Sequence, residues 1–168
     1  SRETQSYFYP SVSGSAVLSQ AISLPKWWNF LKVRGSWTMS KTAADIYAIN
    51  NAYTISKSWD DMKYATYPTS LKGGTVRPQT AQYWEAGLNS KFFMNRLYFD
   101  FSVYRKDEYD FIRDGGVSPS TGFSAVQINC TETRRRSGLE LVLGGTPVQT
   151  KNFSWDILTN WGHDKYTY

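Results

Sequence analysis

The chain has 168 residues, of which 17% are aromatic and only 20% are charged, and its formal net charge is +5. This length suits one ordinary domain, but a water-soluble core normally contains more Leu, Ile and Val, whereas Tyr and Trp favour interfaces that are wet on one side. The basic residues are spread along the chain apart from Arg134–Arg136. No nucleic-acid-binding module is recognisable, so no nucleic-acid partner is expected.

Alternating apolar and polar residues predict about six β-strands. In the clearest strand, Leu31–Ser40, apolar residues fall on odd positions and polar residues on even ones. The predicted strands are, in chain order, Phe8–Leu18, Leu31–Ser40, Trp84–Asn89, Leu97–Tyr104, Leu139–Leu143 and Phe153–Gly162. No apolar run approaches the roughly 20 residues that a membrane-spanning helix needs, but alternating segments of about ten residues are typical of a transmembrane β-barrel.

The connections between these strands alternate in length. Short joins that contain Pro, Gly or Asn are predicted at Ala21–Lys26, Phe92–Asn95 and Gly145–Lys151. The joins between them are much longer, at about 41–77 and 113–127, and connections of that length are usually functional. Short turns on one side and long loops on the other are typical of an outer-membrane barrel, in which the short turns are periplasmic and the long loops extracellular.

Bulky aromatic residues flank the three short joins. Because aromatic rings prefer the level of the lipid headgroups, we expect these residues to form a girdle at the membrane interface. The predicted interface residues are Trp27, Trp28, Phe92, Phe93, Phe153 and Trp155. The alternative interpretation is that they close one end of a soluble β-sandwich.

Three blocks of the sequence resemble the later barrel strands of SusC-like (SusC/RagA) TonB-dependent outer-membrane transporters. FYPSVSG at Phe8–Gly14 and FLKVRGSW at Phe30–Trp37 resemble the family pattern FPSVSxxW followed by LKLRxSYGxTGN. The segments Arg77–Ile112 and Ser137–Lys165 are similar to the next two family blocks, in the same order and with similar spacing. The resemblance covers nearly the whole chain apart from the long loops.

The sequence departs from the family pattern at a few positions. Gln79 occupies a position where the family often has Glu, the stretch Thr38–Thr42 lacks the usual Gly and Asn, and Thr133–Ser137 is irregular around an expected Asn-Lys-Gly. These positions lie at the predicted strand ends. They bear on details of the loops rather than on family membership.

The resemblance implies a fold, a location and partners. It implies an all-β, antiparallel transmembrane barrel of roughly 22 strands, of which residues 1–168 contribute about six, with the plug, the TonB box and the closing strand outside this segment. The implied location is the outer membrane of a Gram-negative bacterium. The implied activity is TonB-dependent import of a glycan or peptide with a SusD-like surface lipoprotein as lid, in contact with outer-membrane lipid and lipopolysaccharide.

Polar residues on the alternating strands are expected to line the barrel lumen. They are Lys32, Arg34, Glu85, Asn89, Asp100, Glu140, Asp156 and Asn160. Their expected role is structural, through ion pairs and hydrogen bonds with one another and with the plug. The alternative is that those near the extracellular end also contact substrate.

Substrate contact is also predicted in the first long loop, where aromatic residues recur among Asn and Asp. Aromatic faces stack on sugar rings or peptide side chains, while amides and carboxylates fix orientation. The candidates are Tyr47, Tyr53, Trp59, Tyr64 and Tyr67. The open alternatives are that they pack the loop or contact the lipoprotein lid.

A cationic strand end is predicted at Thr131–Arg136, where Arg could bind lipopolysaccharide phosphates through paired hydrogen bonds. The alternative is ordinary cross-strand pairing with an acid such as Glu132. The two interpretations differ in what the arginines face, which the sequence alone leaves open.

Residues that could perform covalent chemistry are few. Cys130 is the only cysteine and His163 the only histidine, so an internal disulfide is excluded and no zinc site is formed by them alone. The neighbouring carboxylates of Asp60–Asp61 and of Asp107–Glu108 would point to opposite faces of an extended chain, unlike a glycosidase pair. We therefore expect no enzyme activity, no catalytic residue, no metal and no cofactor.

Two other classes of protein share some of these features. A soluble, aromatic-rich β-sandwich, such as a carbohydrate-binding module, also has alternating strands and exposed Trp. However, the outer face of a sandwich should be the polar one. A passive porin or adhesin barrel is the second alternative, and the three family-like blocks argue against it.

Overall fold

The computed structural model describes residues 6–44, 50–57, 62–72 and 76–168. The described strands are β1 Ser11–Val17, β2 Trp28–Thr42, β3 Thr54–Lys57, β4 Lys63–Thr66, β5 Ser70–Leu71, β6 Gln79–Phe92, β7 Leu97–Tyr109, β8 Ile112–Gly116, β9 Ala125–Asn129, β10 Arg134–Gln149 and β11 Ser154–Thr167. Two short 3-10 helices, Leu18–Gln20 and Pro119–Thr121, lie between strands. The strand class expected from the alternation is therefore confirmed.

The chain divides into two compact units. The first, which we call the wall unit, comprises Tyr9–Ser40, Ala81–Asp107 and Arg134–Tyr168. The second, which we call the connection unit, comprises Ser1–Phe8, Lys41–Thr80 and Glu108–Thr133. The wall unit contains the six predicted strands, and the connection unit contains the two long joins.

One six-stranded sheet forms the wall unit. Its strand order, β1-β2-β6-β7-β10-β11, follows the chain, and β1–β2 and β10–β11 pair antiparallel. Every predicted strand is found, and most are longer than predicted because charged and small residues extend them beyond the apolar alternation. This is the architecture of a meander, in which each strand pairs with those before and after it.

The short joins of the wall unit all lie at one end of the sheet. They span residues 18–27, 93–96 and 150–153. A backbone hydrogen bond from Phe93 N to Trp27 O, at 2.8 Å, ties two neighbouring joins together, and Thr146 N of β10 donates to Arg96 O of the second join at 2.8 Å. The long joins leave from the opposite end of the same strands. The contrast in connection length predicted from the sequence is confirmed.

The predicted bounds of the third short join were wrong. Gly145–Lys151 was predicted as the join, but β10 continues to Gln149, with an irregular step in the pairing with β11 between Gly145 and Val148. A bulge of this kind adds residues to one strand only, so it interrupts the alternation without ending the strand. The Gly-rich segment was therefore interpreted as a turn when it is part of the strand.

The sequence predicted long loops in this part of the chain. The connection unit instead contains several short strands. Strands β3 and β4 form a small antiparallel hairpin. Strand β5 pairs parallel with β9, which pairs antiparallel with β8. The predicted loops at 41–77 and 113–127 thus contain three of these short strands, β3, β4 and β5, and parts of β8 and β9. Such short segments carry too few alternating residues to stand out in the sequence.

Burial distinguishes this fold from a soluble sandwich. Among the described residues, the buried hydrophobic side chains are Leu31, at 6% exposure, and Val76, at 4%. A sandwich of two sheets would bury the inner faces of both in a core about 10 Å thick. The sandwich alternative is therefore wrong. No helix in the described ranges has the length and apolar character to cross a membrane.

Candidate functional site

The six-stranded sheet has one polar and one apolar face. Residues directly opposite each other in an antiparallel pair share a face. Between β1 and β2, Ser13 lies opposite Ser36 and Val12 lies opposite Trp37. Between β10 and β11, Leu141 lies opposite Trp161. In these pairs, polar residues lie opposite polar ones and apolar residues opposite apolar ones.

On the polar face, an ion-pair network joins three strands. Arg34 of β2 donates through Nη1 and Nη2 to both carboxylate oxygens of Asp100 in β7, at 2.9 and 3.1 Å. Its Nε lies 3.5 Å from Glu85 Oε1 in β6, and Asn89 Nδ2 also donates to Asp100, at 3.0 Å. The paired geometry fixes the guanidinium plane as well as its position. Four of the predicted lumen residues therefore meet in one network.

Gly87 makes this network possible. A Cβ at Gly87 would lie 2.6 Å from Nε of Arg34, so the missing side chain leaves room for the arginine to cross β6. The Arg34 and Asp100 side chains remain partly exposed, at 37% and 28%. A network that is open to solvent on one side suits the wall of a water-filled channel.

The other four predicted lumen residues lie outside this network. Lys32 lies opposite Val17, Glu140 opposite Gly162, and Asn160 opposite Val142. Asp156 accepts hydrogen bonds from the hydroxyls of Thr146 and Ser154. These positions share the polar face, while their orientation towards a lumen stays a prediction.

A second cluster on the polar face lies at the end of the sheet that adjoins the long joins. We call it the tyrosine–arginine cluster, and its members are Tyr83, Tyr104, Arg136, Asp164 and Tyr166. Tyr104 Oη donates to Asp164 Oδ1, and Arg136 donates to Oδ2 of the same carboxylate. The Arg136 guanidinium lies 5.7 Å from the Tyr104 ring centroid and 5.5 Å from that of Tyr166. Tyr83 stacks on Tyr104 at 6.2 Å.

The sequence alone does not reveal this cluster, because its members come from four strands. Only the pairing order brings them together, and Gly138 provides the space, since a Cβ there would collide with Asp164 and with the Tyr104 hydroxyl. A partial signal was present, because Tyr104 continues the polar positions of its predicted strand. Chemically, the cluster offers aromatic rings beside a carboxylate and a guanidinium that neutralise each other.

The predicted loop aromatics are only partly brought together. Tyr53 and Tyr67 meet edge to face at 5.3 Å, and Tyr67 contacts Phe123 at 5.4 Å. Tyr64 lies in β4, opposite Ser56, and is exposed. Tyr47 and Trp59 lie outside the described residues. Packing within the connection unit thus accounts for two of the five residues, which also keep exposed surface.

The predicted interface aromatics form a cluster at the short-join end. Trp27 and Trp28 stack on Phe92, with centroids 5.8 and 5.6 Å apart, and Trp27 also lies 6.2 Å from Phe93. Trp28 Nε1 donates to the fully buried Ser90 Oγ at 2.6 Å. Phe153 and Trp155, at the third short join, are exposed. Four of the six thus share one stack, and their position in a membrane stays a prediction.

Comparison with known proteins identifies the family. The sequence model described as "TonB dependent receptor-like, beta-barrel" matches residues 1–168. The chain belongs to this family. The TonB-dependent receptor SusC of Bacteroides thetaiotaomicron is 24% identical over 124 residues, which cover 73% of this chain and 12% of SusC.

Solved structures share the fold. The RagAB peptide importer in its open-open state superposes with a TM-score of 0.83 at 19% identity, over 98% of this chain and 18% of the solved one. The siderophore receptor PirA of Pseudomonas aeruginosa has a TM-score of 0.52 at 15% identity, over 93% of this chain and 28% of PirA. The chain thus spans a minor part of the length of these relatives.

Membership of this TonB-dependent receptor family confirms the resemblance and the barrel fold predicted from the sequence. It places the chain in the outer membrane of a Gram-negative bacterium. It also makes the passive porin or adhesin alternative wrong. The relatives that the chain matches are transporters and receptors.

Within the TonB-dependent barrel, the arginines of Thr131–Arg136 do not form one surface. Arg136 faces Asp164 on the polar face, whereas Arg135 Nε contacts Asp107 Oδ1 at 2.7 Å. Neighbouring residues of a strand point to opposite faces, and both arginines make the cross-strand pairs with acids that the alternative interpretation expects. Glu132 pairs instead with Arg113 at 3.0 Å in the connection unit.

Proposed function

We propose that the full-length protein imports a nutrient, either an oligosaccharide or a peptide, across the outer membrane with energy delivered through TonB. The observation that carries the proposal is the division of one sheet into an exposed apolar face and a polar face crossed by ion pairs. This division suits a barrel wall that meets lipid outside and a wide, polar lumen inside. Family membership and the fold shared with the RagAB peptide importer support it.

The proposal gives the Arg34 network a supporting role. Its residues lie on the polar face and hold three strands together, so they would keep the wall rigid while the plug moves or rearranges beside it. Their unshared hydrogen-bonding capacity would pair with polar groups of the plug. Neither role requires proton transfer or covalent chemistry.

We assign substrate contact to the tyrosine–arginine cluster. It lies at the end of the sheet that adjoins the long joins, which is the extracellular end in this proposal. The charges of Arg136 and Asp164 neutralise each other, so the cluster suits an uncharged ligand rich in hydroxyl or amide groups. Tyrosine faces add stacking surface for sugar rings or peptide side chains. Tyr53, Tyr64 and Tyr67 are further candidates for contact with substrate or with a lid.

A SusD-like surface lipoprotein is the proposed partner on the extracellular side. The aromatic residues of the connection unit keep exposed surface suited to a protein interface. Co-purification of the full-length protein with a tag in the 41–77 segment tests this. A stoichiometric lipoprotein supports the partnership, and a protein purified from intact outer membranes without one contradicts it.

The import proposal is tested in a strain that lacks the chromosomal copy and carries the full-length protein. Growth and uptake are measured with defined oligosaccharides and with defined peptides as the limiting nutrient. The double variant Tyr104→Ala and Tyr166→Ala should slow uptake about tenfold, because two stacking contacts are lost. Tyr9→Ala is the matched control, since Tyr9 is an exposed tyrosine outside the cluster.

The outcomes separate the parts of the proposal. Loss of uptake for one nutrient class on deletion, with Tyr9→Ala like wild type, supports import and identifies the class. Unchanged uptake of both classes on deletion contradicts import. Normal uptake by the double variant, with deletion abolishing it, contradicts only the role of the tyrosine–arginine cluster.

A further inference from the structure

The apolar face changes character abruptly near the end of the sheet that adjoins the long joins. Strands β10 and β11 place Ser137 opposite Lys165 and Arg135 opposite Thr167. The next pair towards the short joins is Leu139 with His163, followed by Leu141 with Trp161. Two residues further along each strand, the apolar rows are therefore followed by a row that contains a hydroxyl and an ammonium group.

Strand β7 continues this row on the other side of β10. The Arg135–Asp107 contact and the hydrogen bond from Thr146 N to Arg96 O fix one register between β7 and β10. In that register Arg105 lies opposite Ser137. Arg105, Ser137 and Lys165 thus form a single row across three adjacent strands, which we call the cation row.

Asp107 holds two arginines at this edge. Its carboxylate is 2.8 Å from Arg105 Nη2 and 2.7 Å from Arg135 Nε. The carboxylate is only 16% exposed, whereas the Arg105 and Arg135 side chains are 48% and 46% exposed. One shielded acid therefore holds two guanidinium side chains that are themselves about half exposed. With Lys165, the group has a formal net charge of +2.

Tryptophans lie beside the cation row on the same face. Trp37 and Trp84 contact each other with ring centroids 5.8 Å apart. Trp84 and Arg105 line a shared depression of about 270 Å³. The Trp37 Nε1 group is buried and has no acceptor within the described part of the chain. Tryptophan at the headgroup level of a membrane donates this N–H to lipid oxygens.

The distance to the other aromatic cluster fits a membrane. Leu97, beside the short joins, and Arg105 are eight residues apart on β7. At 3.3 Å per residue and a strand tilt of about 40°, this corresponds to a height of about 20 Å. Outer-membrane barrels have an apolar band about 25 Å tall between two aromatic girdles. The distance between the cation row and the short-join aromatics is thus close to the distance between the two membrane interfaces.

We infer that the cation row, with Arg135 beside it, is a binding site for a phosphate of the anionic glycolipid in the outer leaflet, the lipid A part of lipopolysaccharide. The acyl chains lie along the apolar rows below, and the phosphate accepts hydrogen bonds from Arg105, Ser137 and Lys165. Arginine and lysine suit phosphate by paired hydrogen bonds and by point charge, respectively. The site depends on the outer-membrane location and not on which nutrient is imported.

The test compares two triple variants of the full-length protein purified in detergent. The site variant carries Arg105→Gln, Arg135→Gln and Lys165→Gln. The control variant carries Lys26→Gln, Arg96→Gln and Lys151→Gln, which remove the same charge from the short-join end. Native mass spectrometry and a titration then measure binding of diphosphoryl lipid A, with phosphatidylethanolamine and inorganic phosphate as separate probes. Heat-dependent gel mobility establishes that each variant is a folded barrel.

Wild type and control variant should bind lipid A alike, and the site variant about ten to 100 times more weakly. Equal lipid A affinity of the site variant and wild type overturns the inference. Inorganic phosphate that binds as tightly as lipid A, and competes with it fully, overturns the lipid assignment in favour of a free-phosphate site. Should the triple variant fail to fold, Lys165→Gln alone is compared with Lys151→Gln, and equal affinities again overturn the inference.

Discussion

The two faces of the six-stranded sheet are made by the same strands and stabilised in different ways. On β11, Asn160 and Trp161 are neighbours, yet Asn160 lies opposite Val142 on the polar face and Trp161 lies opposite Leu141 on the apolar face. The polar face is held by ion pairs between side chains, such as Arg34 with Asp100. The apolar face leaves large side chains exposed, so its stability depends on lipid.

The alternation of apolar and polar residues therefore determines which face of the sheet meets lipid. A soluble domain would bury its apolar residues in a core, whereas here Trp161 remains 57% exposed on the protein surface. Lipid takes the place of a protein core on the apolar face. On the polar face, water and side-chain contacts satisfy the polar groups. A charge should consequently be tolerated on one face and strongly destabilising on the other.

The largest effect is expected for Trp161→Arg. A charge in the middle of the lipid-facing band should lower the free energy of unfolding by about 3 kcal/mol. The measurement is urea unfolding of the full-length barrel in phospholipid vesicles, followed by tryptophan fluorescence or gel mobility. Asn160→Arg is the matched control, because the same side chain is added one residue away on the polar face. Equal losses in both variants would contradict the difference between the faces.

A smaller effect is expected for Arg34→Met. Asp100 and Glu85 would lose their shared cation, while partial exposure lets water replace part of the interaction. We expect a loss of about 1 to 2 kcal/mol in the same unfolding measurement. Lys32→Met is the control, since it removes a cation from the same strand and face. A loss no greater than that of the control would show that the network does not stabilise the wall.

The smallest effect is expected for Trp28→Phe at the short-join end. The variant keeps an aromatic ring in the stack with Phe92 but removes the donor to the buried Ser90 hydroxyl. We expect a loss of about 1 kcal/mol, because the hydroxyl still donates to Phe30 O. Trp27→Phe serves for comparison, as Trp27 is half exposed. A larger loss for Trp27→Phe would locate the stabilising contact in the stack instead.

The sequence alone predicted the wall unit well because its strands are long and two-sided. Leu31–Ser40 lies within β2, and Leu97–Tyr104 begins where β7 begins. Each of these strands repeats the alternation often enough for the face assignment to be consistent. The family resemblance then supplied the strand count of the whole barrel, which no local pattern contains.

Features that depend on pairing or on short segments were not predictable. The irregular step between Gly145 and Val148 resembled a turn because glycine is common in both. The β5–β9 pair joins residues more than 50 positions apart through only two positions on each strand. The tyrosine–arginine cluster likewise depends on strand order, since Tyr83 and Tyr166 are far apart in sequence. Cross-strand contacts of this kind follow from register, which one sequence does not specify.

The most direct test of the two-faced wall is cysteine scanning along β11 in the full-length protein. Cys130→Ser supplies a background free of this segment's only cysteine, and single cysteines then replace positions 156 to 161. The labelling pattern in intact outer membranes should alternate with period two. Cysteines at even positions should react with a water-soluble maleimide. A fluorophore attached at odd positions should be quenched by lipid-bound quenchers. Uniform labelling, or alternation of the opposite phase, would contradict the account.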